Sequence, residues 1–191
     1  SRMSKVFVQP PEAAHDIDSA ISQTVEAYTS LSKDKVGALM VFERANLLDE
    51  VIKTGTALDC AVSSELLKNL FWNKAPLHDG AVIVRNGRIV GAGCMLPLSG
   101  NTNLSRDLGM RHRAGIGMSE HSDAVVAIVS EETGSISVAV GGMLKRHLAP
   151  ETLDRLLRNE LKTDEDDGEK KSDLFPLVAA LFNRGKKEGT E

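Results

Sequence analysis

Apolar residues follow two different patterns in the first part of the chain. From Asp16 onward they recur at spacings of 4, 4, 3 and 3, at Ile17, Ile21, Val25, Tyr28 and Leu31. This spacing predicts an amphipathic helix that packs one face on a core. Residues 36–42 form a continuous apolar run without helical spacing. That run predicts a short strand that is buried on both faces of a sheet.

Two pairs of apolar runs predict β-hairpins. In the first pair, Asn86-Gly87 separates the runs 81–85 and 88–92, and both residues tolerate the positive φ of a type I′ turn. In the second pair, residues 124–129 and 135–140 flank the acidic stretch Ser-Glu-Glu-Thr-Gly (130–134), which predicts a longer hairpin loop.

Residues typical of helix starts occur before and after these hairpins in the sequence. Ser63 can cap a helix that carries apolar residues to Phe71, and Pro150 suits the first turn of a leucine-rich helix. The stretch 104–118 is polar, glycine-rich and partly helical in pattern, whereas 47–58 is mixed. Together the elements predict a single α/β domain with a central mixed β-sheet flanked by helices.

The chain of 191 residues has the length of about one domain. We expect an irregular N-terminal segment over residues 1–15 and the domain itself over 16–161. An acidic linker would follow over 162–172, and a C-terminal helix and tail over 173–191 would dock on the domain or bind a partner protein.

Charge and cysteine content restrict the function classes. The net charge of −4 argues against bulk binding of nucleic acid, so any nucleotide must be held locally. Cys60 and Cys94 form no CxxC pair, which disfavours a disulfide framework or a thiolate zinc site and fits a reducing, cytoplasmic compartment. No apolar run approaches the ~20 residues of a membrane span. The chain begins Ser-Arg-Met, which favours removal of an N-terminal segment.

Glycines are concentrated in one segment, with 11 of the 16 between Gly80 and Gly142. Known nucleotide motifs such as GxGxxG and GxxxxGK[ST] are absent. At the start of the segment, Pro-Leu-His-Asp-Gly-Ala (76–81) can present the Asp79 carboxylate beside bare backbone N–H groups, as sites for phosphates and metals often do. The alternative is an ordinary Asp-Gly turn.

Two further stretches carry charge. In Arg111-His112-Arg113 both arginines can grip one phosphate chain only at a helix N-terminus or in an extended segment, because residues i and i+2 diverge in mid-helix. We therefore predict that this tripeptide begins a helix, and the alternative is a solvated basic cluster. Residues 130–134 can be an ordinary hairpin loop without a function. Alternatively, the two acidic residues neutralise the positive charge of a metal or of the arginines.

These three motifs, in this order and spacing, resemble the diadenylate cyclase (DAC) domain. Gly-Ala-Leu-Met-Val-Phe-Glu-Arg (37–44) and Val-Ser-Ser-Glu-Leu-Leu (62–67) look like the same family's first strand and following helix. The resemblance covers about residues 17–161 and is closest to the CdaA-type branch.

The resemblance implies an activity. Such domains join two ATP molecules into cyclic di-AMP and release two pyrophosphates, with Mg²⁺ or Mn²⁺ as cofactor. Each protomer binds one ATP, and two protomers face each other as a homodimer, so a monomer is expected to be inactive. The membrane-anchored branch carries transmembrane helices before the domain, and a regulatory protein partner is a further option. The rival interpretation is a non-catalytic nucleotide-sensing or scaffold module of the same fold.

The resemblance also implies roles for catalytic and metal-binding residues. Asp79 would bind metal and help to deprotonate or orient the ribose 3′-hydroxyl, with His78 and Glu131 as further metal ligands. Three residues would bind the triphosphate and stabilise the charge that develops in the reaction: Arg111, His112 and Arg113.

Nucleotide contacts follow in the same way. Gly80 and Ala81 would leave room for ribose and phosphates, and Ser130 and Glu131 would contact the nucleotide. Met95 and Leu96 look like core residues from their pattern, but the resemblance places them in the adenine pocket. The chain also departs from the family. Met110 stands where many relatives have threonine, and Met95 where they often have tyrosine, which implies one lost hydroxyl contact and softer base stacking.

Overall fold

The computed structural model describes residues 11–162, with side chains from Asp16 onward. The strands are β1 (Ala38–Phe42), β2 (Thr56–Ala61), β3 (Ala81–Arg85), β4 (Arg88–Cys94), β5 (Val125–Val129), β6 (Ile136–Val140) and β7 (Met143–Lys145). The helices are α1 (Pro11–Lys33), α2 (Asp49–Ile52), α3 (Ser64–Phe71), α4 (Met110–His121) and α5 (Pro150–Lys162).

All seven strands form one sheet in the order β2-β4-β3-β1-β5-β6-β7. β1 pairs with β3 in parallel, and the other neighbours pair antiparallel, which confirms the predicted mixed sheet. Both predicted hairpins are present, as β3-β4 and β5-β6. At the first turn, Asn86 has φ 50° and Gly87 has φ 74°, as a type I′ turn requires.

Helices cover both faces of the sheet. On one face, α1, α3 and α5 enclose the larger apolar core, which includes Tyr28, Phe71 and Leu157, all essentially inaccessible to solvent. On the other face, α4 packs on residues such as Val126 and Ile128. Because helices cover both faces, the side chains of β1 and β5 are buried on both sides of the sheet. Full burial of one large apolar side chain contributes about 1.5–3 kcal/mol to stability.

Several element boundaries differ from the predictions. α1 begins at Pro11, not at residue 16, because a helix can extend beyond its packed face and proline is favoured in the first turn. β2 and β7 were not predicted. β2 is an edge strand with a largely exposed pattern, and β7 has three residues, so neither carries a strong apolar signal. Lys162, predicted to begin the linker, is the last residue of α5, and the rest of the predicted linker and the C-terminal helix lie outside the described residues.

Two local signals in the sequence are confirmed. The Ser63 hydroxyl accepts a hydrogen bond from the Leu66 N–H at 3.2 Å and caps α3, and Pro150 is the first residue of α5. Cys60 and Cys94 are both free thiols. Over residues 11–162, no helix combines the length and the apolar character needed to cross a membrane.

Strand direction brings the candidate residues to one end of the sheet. Because β1 and β3 run opposite to β4 and β5, the starts of the first pair and the ends of the second pair lie together. We call this the site end, and the other end of these four strands the far end. The Asp79 corner, Met95, Gly37 and the Ser130 loop all lie at the site end.

Candidate active site

Asp79 occupies an exposed corner just before β3. Gly80 follows it with φ +118°, a conformation that side chains rarely adopt. A Cβ at Gly80 would also lie 2.6 Å from the carbonyl carbon of Gly93 and 2.9 Å from the carbonyl oxygen of Cys94. Glycine is therefore required for the corner to pack on β4. Within the described residues, the Asp79 carboxylate has no hydrogen-bond or ion-pair partner.

The neighbours of Asp79 differ in accessibility. His78 is half-buried, and its Nδ1 lies 2.7 Å from the carbonyl oxygen of Ala75. Since a carbonyl only accepts, Nδ1 carries the hydrogen of this bond, and Nε2 is the ring nitrogen left for another contact. Ala81 has no exposed surface and packs in the core on the α4 side. Its side chain therefore packs beneath the corner.

The Arg-His-Arg tripeptide lies in the first turn of α4, which begins at Met110 after the N-cap Gly109. This confirms the geometric prediction that the tripeptide begins a helix. The Arg111 Nη1 lies 2.6 Å from Oε2 of Glu131, and only 18% of the Arg111 side chain is exposed. Arg113 is half-buried and, in the part of the chain that the structure describes, its guanidinium forms no hydrogen bond or ion pair.

His112 is placed differently from the two arginines. It is 5% exposed, so little of its surface is available for direct contact with a triphosphate. Successive helical residues point about 100° apart, which turns His112 inward while its neighbours reach the surface. Burial lowers the pKa of His112 below 6.5, and the positive charge of Arg146 lowers it further. The ring is therefore neutral at pH 7.

The 130–134 loop has both structural and electrostatic functions. The Ser130 hydroxyl accepts hydrogen bonds from the N–H groups of Glu132 and Thr133, each at 3.3 Å, and the residue is 8% exposed. Its hydroxyl therefore closes the loop. Glu131 is 59% exposed and pairs with Arg111. Of the two alternatives for the acidic pair, a metal or the arginines, the geometry of Glu131 favours the arginines.

Met95 and Leu96 follow the end of β4 at the same site. Met95 is 73% exposed, so its interpretation as a core residue is wrong, whereas the half-buried Leu96 packs on the α4-side core. The Met95 N–H donates to the Thr54 hydroxyl at 2.8 Å. Farther along, the Ser99 N–H donates to the Arg113 carbonyl at 3.0 Å, which fastens this segment to α4.

Thr54 and Ser99 were not identified from the sequence. Neither belongs to a motif, and each forms its hydrogen bond with a backbone group that is distant in the chain. Gly37 carries no signal of its own within the 37–44 stretch, yet it lies directly against the Arg111 guanidinium. A glycine before a buried strand is a weak signal, because the sequence does not show what occupies the space.

A metal ion would need ligands beyond the protein at this site. Among residues 11–162, no group of three or more His, Cys, Asp or Glu side chains could hold a metal by itself. Asp79 and Glu131 extend from strands separated by β1, which puts their backbones roughly 10 Å apart at about 4.8 Å per strand. Mg²⁺ is commonly held by one or two carboxylates together with substrate phosphates, and the unpartnered Asp79 fits that arrangement.

Comparison with known proteins gives a consistent result. Residues 25–144 match the family model described as "DAC: DisA bacterial checkpoint controller nucleotide-binding". The chain is 45% identical over 155 residues to "Cyclic di-AMP synthase CdaA" of Bacillus subtilis, which covers 79% of this chain and 57% of that protein. It is 44% identical over 142 residues to a "Diadenylate cyclase" of Listeria monocytogenes, covering 74% of this chain and 52% of that protein. The chain thus spans about half the length of these relatives.

A solved structure supports the same relationship. The chain resembles the crystal structure of a double mutant of DacA from Staphylococcus aureus, with a TM-score of 0.72 and 44% identity. That similarity covers 74% of this chain and 94% of the other. The α/β architecture with its central mixed sheet is therefore shared.

Proposed function

Since this chain belongs to the DAC (diadenylate cyclase) family, we propose that it joins two ATP molecules into cyclic di-AMP and releases two pyrophosphates. The proposal is supported chiefly by the arrangement of charged groups at the site end of the sheet. There the chain combines an unpartnered carboxylate at Asp79 with two arginines at the N-terminus of α4. Both are needed to act on a nucleoside triphosphate, since the hydroxyl must be activated and the phosphates must be neutralised.

Phosphate binding is assigned to α4. Arg113 has no ion pair within the described residues, so its full charge is available for an anion. Arg111 uses Nη1 for Glu131 and retains other N–H groups for a second phosphate. The helix N-terminus adds its own attraction for negative charge. Together these groups stabilise the charge that accumulates on the α-phosphate and on the leaving pyrophosphate.

Asp79 is assigned to the hydroxyl and the metal. In each of the two transfers, the ribose O3′ forms a bond to an α-phosphorus, the bond to the pyrophosphate oxygen breaks, and the hydroxyl proton is lost. Asp79 accepts or orients that proton. Asp79 would also hold Mg²⁺ or Mn²⁺ together with the nucleotide phosphates, and Nε2 of His78 is a second candidate ligand. Such an ion, when bound, supplies positive charge against the triphosphate.

The product requires two sites. Cyclic di-AMP contains two equivalent phosphodiester bonds, so each ATP supplies one hydroxyl and one α-phosphate. The described residues form one Asp79 corner and one α4 N-terminus, which provide one set of these groups. We therefore propose a face-to-face homodimer in which each 3′-hydroxyl attacks the partner's nucleotide. Met95 and Leu96 would contact adenine, and Met110, which is 68% exposed, provides no hydroxyl at the phosphate site.

Incubation with ATP and Mn²⁺, followed by chromatography of the products, tests the proposal. We expect cyclic di-AMP and pyrophosphate in a 1:2 ratio, with specific activity that rises with protein concentration as dimers form. Nucleotide binding without product at high protein concentration would instead favour a sensing or scaffold module. A constant specific activity over a wide dilution series would contradict catalysis between two protomers.

A further inference from the structure

We propose that Gly37 is a positioning residue for this reaction, because its missing side chain provides the space in which the Arg111 guanidinium lies. The predicted effect of Gly37 on turnover rests on the proposed function. The predicted effect of Gly37 on the Arg111–Glu131 ion pair does not, and it can be tested separately.

Gly37 is buried immediately before β1, between two parts of the site. The register of β1 with β3 and with β5 puts it between the Asp79 corner and the Ser130 loop. A Cβ at this position would lie 2.6 Å from Cζ of Arg111, 2.6 Å from Nη1 and 2.9 Å from Nε. Real Cβ atoms essentially never come so close to other atoms. The guanidinium and any side chain at position 37 therefore exclude each other.

The backbone at Gly37 does not itself require glycine. Its φ lies outside the positive region, so alanine can adopt the same conformation. The atoms that a Cβ would meet belong to the end of a flexible side chain, which can rotate away. Gly80 is the opposite case, since its φ is +118° and its Cβ would meet the backbone of β4. Substitution of Gly37 should thus displace Arg111 and leave the fold intact.

Displacement of Arg111 has a direct consequence for the site. The guanidinium is 18% exposed and bonds Glu131 through Nη1, one of the atoms that a Cβ would contact. A methyl group at position 37 forces it outward, which breaks this bond and moves its remaining donors. Misplacement of a charged contact by about 1 Å can cost on the order of 10²-fold in rate.

Gly37→Ala, Arg111→Ala and the double variant test the proposal in a cycle. We expect Gly37→Ala to lower kcat/KM for ATP by roughly 10- to 100-fold. In the Arg111→Ala background it should change kcat/KM by less than about 2-fold, because the group through which it acts is gone. Binding of 3′-deoxy-ATP, which lacks the attacking hydroxyl, gives a second readout if Arg111→Ala has too little activity to measure.

A matched control separates position from stability. Gly100→Ala is the same substitution at a glycine whose Cβ would meet nothing within 4 Å, and we expect unchanged activity. The Tm of Gly37→Ala should stay within about 2 °C of the wild type, since about 1 kcal/mol corresponds to several degrees in a domain of this size. An equal loss in both Arg111 backgrounds, or a large fall in Tm, would overturn the proposal.

The ¹⁵N-edited NMR signal of the Arg111 Nε–H group tests the structural part without turnover. We expect Gly37→Ala to move this signal as Glu131→Gln does, since both variants break the same ion pair. An unchanged signal would refute the proposal even if the wild type makes no cyclic di-AMP. Absence of product together with a shifted signal would refute the proposed function and leave the positioning of Arg111 intact.

Discussion

At the far end of the sheet, the Glu43 side chain is 2% exposed and is paired with Arg85. Arg85 donates to both Glu43 oxygens, at 2.6 and 2.8 Å, and to Asp49, while the Leu48 N–H donates to Glu43 at 2.8 Å. At the site end, Asp79 and Arg113 have no internal partner within the described residues. The same strands thus end in a closed network on one side and in available charges on the other.

This difference separates stability from function. A buried carboxylate is costly unless it is fully paired, so loss of a partner from the far-end network should lower stability. An exposed carboxylate or a half-exposed guanidinium without a partner adds little to stability but is available to a ligand. Substitutions at the two ends should therefore affect different measurements.

The largest expected effect is on stability, from Arg85→Met. Among the described residues, the variant leaves the buried Glu43 with the Leu48 N–H as its one donor, and loss of a partner from a buried pair costs about 3–5 kcal/mol. Because Arg85 is partly exposed, we expect the lower part of this range in urea denaturation. Arg88→Met is the control: Arg88 lies on the same hairpin as Arg85, and its surface pair with Asp59 of β2 is solvent-exposed, so its loss should change stability far less. Equal losses in both variants would remove the distinction between the two ends.

Asp79→Asn should have the opposite profile. We expect turnover to fall by at least on the order of 10²-fold, because a group that acts on the reacting atoms is lost. The midpoint of unfolding should not change, since the carboxylate stabilises nothing within the described residues. Asp59→Asn makes the same charge change at an exposed residue of β2 and should keep full activity. Near-normal turnover in Asp79→Asn would contradict the assigned role.

Arg113→Met tests the unpaired guanidinium. We expect a rise in KM for ATP and a loss of about 10-fold or more in kcat/KM, which corresponds to one charge-assisted phosphate contact at about 1.4 kcal/mol per factor of 10. The urea midpoint should remain close to that of the wild type. A fall in stability comparable to that of Arg85→Met would show that Arg113 has a structural role that the ion-pair pattern does not reveal.

The smallest expected effect is the pH dependence from His112. Its pKa is below 6.5 in the folded state, so the unfolded chain binds this proton more tightly. The contribution of His112 to stability is therefore complete above about pH 6.5 and declines as the pH falls from there toward the folded-state pKa. An NMR titration of the ring measures that pKa directly. A value at or above 6.5 would contradict the buried, neutral state, and His112→Gln should reduce the slope of stability against pH in this range.

Residue patterns predicted much of this molecule because the signals were local. A type I′ turn requires positive φ at Asn86 and Gly87, and a Ser63 cap requires only its own helix, so both followed from neighbouring residues. The start of α4 at the Arg-His-Arg also followed from geometry within one turn. β2 and β7 could not be predicted, because their strand character comes from pairing with β4 and β6 and not from their own apolar content.

The sequence by itself determined the α/β class, both hairpins and the identity of the charged motifs, since each depends on side chains close together in the chain. Only the tertiary structure decided which residues of those motifs are buried, which are paired and which are available to a ligand. It buried His112, paired Arg111 with Glu131, left Arg113 and Asp79 without partners among the described residues, and placed Gly37 against a guanidinium far along the chain. The physical reason is that burial, pairing and excluded volume are set by groups that strand order brings together, and no local pattern contains that information.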